Sequence, residues 1–198
     1  MAQRLLALDL DGTTLNHMGE LSPRVRDAVR ALPEDVAVVI ATGRSILATT
    51  PILEQLGLSE GYAVCSNGAL TLQLNPAAPT GYSIIDQVTF DPRAVLEKMR
   101  VELPDALIAV EEPGVGFKVS KHFPDGELMG HSREVPWEEL IAHPVTRVTL
   151  RQPESTAEEF MELVERAGLH EVSYAVGWSA WLDINPCLLY TSPSPRDS

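Results

Sequence analysis

The sequence lacks features that would mark several protein classes. Its two cysteines, Cys65 and Cys187, lie far apart without a companion cluster of cysteine and histidine, so neither a disulfide framework nor a zinc site is indicated. No apolar run approaches the about 18 residues of a membrane helix, and charges interrupt the start of the chain, where a signal peptide would be apolar. We therefore expect a cytoplasmic protein without internal repeats.

Basic residues are also scarce. The chain has 15 Lys+Arg against 28 Asp+Glu, a formal net charge of -13 over 198 residues. Acidity on this scale repels phosphodiester backbones and anionic lipids. The negative charge argues against nucleic acid and membranes as partners, so a small molecule is the expected partner. It does not indicate an oligomeric state.

The final residues, 187–198, break with the pattern before them. The eleven residues from Cys187 to Asp197 spell CLLYTSPSPRD, the in-order translation of a transposase adapter used in DNA-library preparation. The alternative is a native Ser/Pro-rich disordered tail. From the unbroken match we expect an artefactual tail on a chain that is truncated near Pro186.

Residues 1–79 have the pattern of a parallel α/β layer. Short apolar runs at 4–10, 35–41 and 62–65 predict three buried strands, and each run stops at a polar loop. Helices are predicted between them. Strand and helix in this alternation predict a doubly wound parallel sheet, whose ligands bind at the carboxyl ends of the strands.

The two predicted helices have clear end signals. Ser22 is a good N-cap with Pro23 at the first helical position. The second helix follows the loop 42–44 and ends at Gly57, and Pro51 inside it predicts a kink or a restart.

From about residue 71 the pattern changes to alternating apolar residues, which indicates a second unit. Residues 80–180 predict an α+β domain with a mainly antiparallel sheet, and 181–186 a return towards the first unit. The predicted strands are 82–90, 106–110, 116–120, 146–150, 172–176 and 181–184, and the predicted helices begin at Asp91, Pro136 and the capping box of Ser155 and Glu158.

Two carboxylates lie at the end of the first predicted strand. At period two, Asp9 and Asp11 point the same way while Leu10 turns into the core, and Gly12 allows a sharp turn beside them. Two carboxylates sharing one opening repel each other unless one is protonated or both recruit a cation such as Mg²⁺. The alternative is an ordinary surface turn of Asp and Gly.

A second polar loop follows the second strand. Thr42 and Gly43 combine a hydroxyl with a glycine amide before a helix, which suits an anion. The alternative is that Thr42 acts only as an N-cap.

Three motifs in order resemble one family. DLDGTTLN, ATGR and SNGA each follow a predicted strand. Together they resemble the haloacid dehalogenase (HAD) superfamily phosphatases of the Cof-like branch, over residues 1–186. The resemblance implies an α/β fold. Its core would be a doubly wound, Rossmann-like parallel sheet that is incomplete in this chain, and an α+β cap would be inserted into it.

The resemblance also implies a mechanism. Asp9 would be the nucleophile that forms an aspartyl phosphate, and Asp11 would protonate the leaving alcohol and then activate water. Mg²⁺ would be held by the Asp9 carboxylate and the Asp11 backbone carbonyl. His17, in the predicted flap 17–21, is an alternative base.

Several further residues would bind the phosphoryl group. These are the Thr42 hydroxyl, Gly43 and the backbone amides after Asp9, beginning with Leu10. Asn67 and Arg44 would orient the substrate or brace the loops, and a bracing role is favoured for Arg44.

The cap would select the substrate. Candidate groups are Lys118, Lys121, His122 and Arg147, each of which is interpreted as a solvated surface charge. Trp137, Trp178 and Trp181 are interpreted as packing residues.

The implied function is Mg²⁺-dependent hydrolysis of small phosphorylated metabolites, among which sugar phosphates are the first candidates. The alternatives are a non-catalytic phosphate-binding or metabolite-binding module and a phosphomutase. The Lys and the acidic residues of the family's later motifs have no counterpart after WLDINP. We therefore expect this chain to show weak or no activity and, with its first strand as an unpaired edge, poor solubility.

Overall fold

The computed structural model of the protein describes residues 4–156, 158–160, 162, 173–177 and 180–186. The chain divides into two compact units, Met1–Gln87 and Val88–Ser198. Within the described residues, no helix is both long and apolar enough to span a bilayer.

The first unit is built on a five-stranded sheet of order β1-β2-β3-β4-β5. Its elements are β1 (Arg4–Leu8), α1 (Pro23–Arg30), β2 (Val36–Ala41), α2 (Ile46–Leu56), β3 (Gly61–Cys65), a 3-10 turn (Ser66–Gly68), β4 (Leu70–Leu74) and β5 (Tyr82–Gln87). The first three strands are parallel, with Leu6 opposite Val38 and Ile40 opposite Ala63. The predicted parallel layer is confirmed, and β1 is an edge strand of the sheet.

The first strand ends two residues earlier than predicted. β1 stops at Leu8 because the chain turns immediately afterwards: the Leu10 carbonyl accepts hydrogen bonds from the amides of Thr13, Thr14 and Leu15, the last at 2.8 Å. This turn places the motif that follows outside the sheet.

Both helices of the first unit begin at serine caps. The Ser22 hydroxyl accepts from the Val25 amide at 3.2 Å, as the sequence indicates, and Ser45 caps α2 in the same way. α2 continues through Pro51 as one helix and ends at Gly57, whose φ of 78° is the left-handed conformation that glycine adopts readily. The side chains of α2 pack with β2, β3 and β4 in a core that includes Ile40, Ile52, Leu56, Ala63 and Leu72.

The first unit extends beyond the predicted boundary at 79/80. β4 pairs antiparallel with β3, and β5 returns antiparallel to β4 with Tyr82 opposite Leu74. The alternating residues after position 70 therefore belong to a hairpin that widens the first sheet. The division falls after Gln87.

The second unit contains a six-stranded sheet of order β10-β11-β9-β6-β7-β8. Its elements are α3 (Arg93–Glu102), β6 (Leu107–Glu112), β7 (Gly116–Val119), β8 (His131–Glu134), α4 (Trp137–Leu140), β9 (Val148–Arg151), β10 (Ser173–Gly177) and β11 (Trp181–Asn185). All neighbouring strands are antiparallel except β7 and β8. The predicted α+β unit is confirmed, whereas β8 was missed because its four exposed residues carry no hydrophobic alternation.

The two faces of this sheet differ in character. Alternate residues of β6, β9 and β11, among them Val110, Val148 and Leu182, pack with Leu96 and Met99 of α3 in one apolar core. The opposite face carries a smaller apolar cluster around Phe117, Val119 and Phe123, beside buried charged groups.

The helix predicted from Ser155 starts with a different capping box. The Thr156 amide donates to Glu159 Oε2 at 3.0 Å, and the Glu159 amide donates to Thr156 Oγ1 at 3.2 Å. The box is thus one residue later than predicted. The rest of that helix, 163–168, lies outside the described residues, as do Trp178 and Cys187.

Candidate active site

The first polar loop presents two carboxylates beyond the end of β1. Leu10 is fully buried while Asp9 and Asp11 are exposed, as the sequence predicts. The Thr14 hydroxyl donates to the Asp9 backbone carbonyl at 2.6 Å, and the Thr13 hydroxyl donates to Asp9 Oδ2 at 3.3 Å. These contacts fix the Asp9 backbone and orient its carboxylate.

A short hairpin follows this loop, at the position where the sequence predicts a flap. Asn16 Oδ1 accepts from the amides of Met18 at 2.9 Å and Glu20 at 3.0 Å, which closes residues 16–20 into a tight turn. His17 and Met18 are exposed at its tip, and the Met18 side chain is 76% exposed. No described contact links His17 to the carboxylates, so its role as a base gains no support.

The second polar loop lies beside the third. Thr42 is buried, donates its amide to the Val64 carbonyl at 3.0 Å and accepts the Arg44 amide on its hydroxyl at 3.2 Å. The helix begins only at Ile46 with Ser45 as its N-cap. The helix thus begins after the loop 42–44, as predicted, and the alternative that Thr42 acts only as its N-cap is wrong.

The third loop brings Asn67 against Gly43. Ser66 and Asn67 have φ angles of 51° and 55°, an uncommon backbone for residues other than glycine. The Asn67 amide donates to the Thr42 carbonyl at 3.2 Å, and a Cβ added at Gly43 would lie 2.7 Å from Asn67 Oδ1. Glycine permits this approach, whereas a Cβ at position 43 would require the Asn67 side chain to move.

Arg44 joins the second loop to the first. Its Nε lies 2.9 Å from Asp11 Oδ2 and 3.2 Å from Oδ1, and its Nη2 lies 2.6 Å from Oδ1. The hydrogen bond to Asp11 raises the pKa of the Arg44 guanidinium. Sequence reasoning named Arg44 as a brace or a substrate ligand, and the structure gives it a partner 33 residues away.

The residues described here supply oxygen ligands for a cation. Asp9 and Asp11 offer carboxylate and carbonyl oxygens in the loop directly after β1, a donor chemistry that suits Mg²⁺, which keeps several waters of its own. The described part of the chain contains no cluster of three or more Asp, Glu, His or Cys residues that could hold a metal. The oxygen donors therefore fit Mg²⁺ as a partial ligand set.

The candidate cap residues divide into two pairs. Lys121 and His122 are exposed, as predicted. Lys118 and Arg147 are not solvated surface charges: Lys118 Nζ lies 3.4 Å from Glu139 and 3.6 Å from Glu112, and the Arg147 side chain is 7% exposed beside Glu111. The sequence misled here because burial of a charge depends on partners that only the folded sheet brings together. Trp137 and Trp181 pack against the two apolar clusters, as predicted.

Three residues of the site were missed by sequence reasoning. Thr13 and Thr14 hold Asp9, and the Ser66 amide donates to the Arg44 carbonyl at 2.9 Å. The two threonines directly after the DxDG motif were the available signal, since hydroxyls beside a turn commonly bond to its backbone.

Comparison with known proteins supports the same family. The model of the haloacid dehalogenase-like hydrolases matches residues 6–101. The HMP-PP phosphatase of Serratia proteamaculans is 41% identical over 66 residues, which cover 33% of this chain and 24% of that protein. Matches to curated relatives span from 24% to 43% of the relative's own length, so the chain covers less than half of them.

Solved structures share the fold over most of the chain. A haloacid dehalogenase-like hydrolase from Bacteroides thetaiotaomicron superposes with a TM-score of 0.71 at 18% identity, covering 92% of this chain and 71% of that one. The HAD sugar phosphatase BT4131 superposes with a TM-score of 0.64 at 18% identity, covering 93% and 70%. With the three motifs at the ends of parallel strands, the chain is similar to the haloacid dehalogenase-like hydrolases in sequence over residues 6–101 and in fold over most of its length.

Proposed function

We propose that the protein hydrolyses phosphate monoesters of small metabolites, sugar phosphates first, through a phosphorylated Asp9 and with Mg²⁺. The observation that carries the proposal is the joining of three strand-end loops: Arg44 binds Asp11, accepts the Ser66 amide and donates to Thr42. Carboxylates, a hydroxyl and backbone amides therefore converge at the edge of a parallel sheet where ligands bind.

The proposed reaction uses the two carboxylates in separate roles. An Asp9 carboxylate oxygen attacks phosphorus, the bond from phosphorus to the leaving oxygen breaks, and Asp11 gives that oxygen its proton. In the second half, Asp11 takes a proton from water as the water oxygen attacks phosphorus, and the bond from phosphorus to the Asp9 carboxylate oxygen breaks, which releases inorganic phosphate and regenerates Asp9. The Thr13 and Thr14 contacts support the first role because they fix the attacking residue.

Phosphate would lie against neutral donors and Mg²⁺. The Thr42 hydroxyl, the backbone amides after Asp9, including that of Leu10, and the Gly43–Asn67 contact would surround the transferring group. The Asp9 carboxylate and the Asp11 carbonyl would hold Mg²⁺, which offsets negative charge on the phosphoryl oxygens when bound. In a chain with a net charge of -13, a cation at this point also favours anion binding.

The substrate class rests on the relatives. The HMP-PP phosphatase and the sugar phosphatase BT4131 are named for small phosphorylated molecules. The residues of the site described here recognise phosphate and carry no feature selective for one leaving group.

Beryllium fluoride tests the proposal without requiring turnover. BeF₃⁻ adds to a nucleophilic carboxylate as a phosphoryl mimic, so ¹⁹F NMR should show a bound signal that requires both Mg²⁺ and Asp9. Asp9→Asn should abolish the signal, and the control Asp27→Asn should keep it, since Asp27 pairs with Arg26 at the surface of helix α1. A wild-type chain without a Mg²⁺-dependent signal, or an Asp9→Asn variant that keeps it, would refute the proposed chemistry.

A further inference from the structure

Asp11 has little local support of its own. Its side chain is 59% exposed, and the next residue is Gly12, whose φ of 71° gives the chain a sharp turn. An exposed carboxylate beside a glycine turn samples several rotamers unless another group holds it. Proton transfer requires this carboxylate to stay within hydrogen-bond reach of one oxygen.

The Arg44 guanidinium supplies the missing constraint. Three distances from its Nε and Nη2 nitrogens to the Asp11 carboxylate oxygens lie between 2.6 and 3.2 Å, and both oxygens are involved. A planar guanidinium that engages both oxygens fixes the plane of the carboxylate as well as its position.

Arg44 is itself held at both ends of its backbone. Its amide donates to Thr42 Oγ1 at 3.2 Å and its carbonyl accepts from the Ser66 amide at 2.9 Å. Its side chain is 28% exposed, and a Cβ added at Gly19 in the flap would lie 3.7 Å from Nη2. The guanidinium therefore connects Asp11 to the phosphate-binding loops and lies under the flap.

We propose that Arg44 is a positioning residue that holds the Asp11 carboxylate in one rotamer and thereby sets its proton transfer to the leaving group. The inference rests on the proposed function for its kinetic consequence and on the structure alone for the contact. Arg44 thus acts on the reaction through Asp11, and the substrate ligand at position 44 that sequence reasoning considered is not required.

NMR couplings test the contact between Arg44 and Asp11 without requiring catalysis. In the wild-type chain the χ1 couplings of Asp11 should report one rotamer, and Arg44→Lys and Arg44→Ala should average them. Arg26→Ala is the matched control, because Arg26 also pairs with an aspartate at the surface of the same unit. A single Asp11 rotamer that persists in Arg44→Ala would overturn the inference.

Leaving groups of different acidity test the consequence. An alkyl phosphate needs protonation of its leaving oxygen, whereas 4-nitrophenyl phosphate releases a stable phenolate. Arg44→Ala should lower kcat/KM for the alkyl ester by about 100-fold and for the aryl ester far less, within the range of general acid catalysis. In an Asp11→Asn background the same substitution should change neither value, since the two residues act as a unit.

The outcomes separate the two proposals. Equal losses for both esters, or a full additional loss in the Asp11→Asn background, would overturn the positioning role. If the wild-type chain hydrolyses neither ester and gives no BeF₃⁻ signal, the proposed function fails, and the Asp11 rotamer measurement still decides whether Arg44 holds the carboxylate.

Discussion

Arg147 provides a stringent test of the second unit because its charge is buried. Its side chain is 7% exposed, its Nε lies 3.5 Å from Glu111 Oε2, and the Glu111 side chain is 2% exposed. Its Nη1 lies 3.9 Å from Asp183 Oδ2, and its guanidinium carbon lies 5.4 Å from the centre of the Phe117 ring. Arg147 is therefore the cation for two carboxylates on the same face of the sheet.

The expected loss of stability on removing the Arg147 charge follows from the distance between the charges and their burial. At 3.5 Å the attraction between Arg147 and Glu111 is about 5 kcal/mol with an effective dielectric constant of about 20. Desolvation of both groups offsets most of this gain, so the intact pair adds little net stability. Removing only the cation leaves the buried Glu111 carboxylate with the hydrogen bond from the Thr146 hydroxyl at 3.2 Å but without the charge of Arg147, which costs about 3–5 kcal/mol. Arg147→Met keeps an unbranched apolar side chain at this position and removes the charge, together with the contact of the guanidinium with the Phe117 ring.

The assay is urea unfolding followed by tryptophan fluorescence. All three tryptophans, at positions 137, 178 and 181, belong to the second unit, so their emission reports that unit. Arg133→Met is the matched control, because Arg133 pairs with Glu139 where both side chains are more than a third exposed. We expect the free energy of unfolding to fall by about 3–5 kcal/mol in Arg147→Met and by less than about 1 kcal/mol in Arg133→Met.

A double variant separates charge isolation from lost packing. Glu111→Met combined with Arg147→Met should recover most of the lost stability, because neither member of the pair is then left charged in the interior. Equal destabilisation by Arg147→Met and Arg133→Met would refute the argument. So would a double variant as unstable as Arg147→Met alone.

Two further predictions concern Gly43, in the loop after β2, and Glu139, in the second unit. Gly43→Ala should weaken Mg²⁺-dependent BeF₃⁻ binding by about tenfold, since the new Cβ would lie 2.7 Å from Asn67 Oδ1 and displace the Asn67 side chain. Unchanged affinity in a ¹⁹F titration would contradict it. The hydrogen bond from Arg133 holds the pKa of Glu139 below its ordinary value of 4.5, so the carboxylate should remain charged as the pH falls through that value. Carboxyl NMR should show the midpoint rise in Arg133→Met, and an unchanged midpoint would exclude the contact.

Local patterns determined most of the secondary structure. Ser22 with Pro23 and the αL position of Gly57 set helix ends through contacts within a few residues, which sequence reasoning can identify directly. The apolar runs of β1, β2 and β3 predicted the parallel strands, and the three motifs after them indicated the family. The polar strand β8 was missed because it gives no hydrophobic signal.

Contacts between distant residues were decided only by the tertiary structure. The sequence places Asp11 and Arg44 in separate motifs, yet they pair across 33 positions because parallel strands bring their following loops to one edge. The same applies to Gly43 against Asn67, and to Arg147 with Glu111. Residue type and spacing specify which groups follow each strand, whereas pairing and burial depend on strand register and sheet order, which are properties of the whole fold.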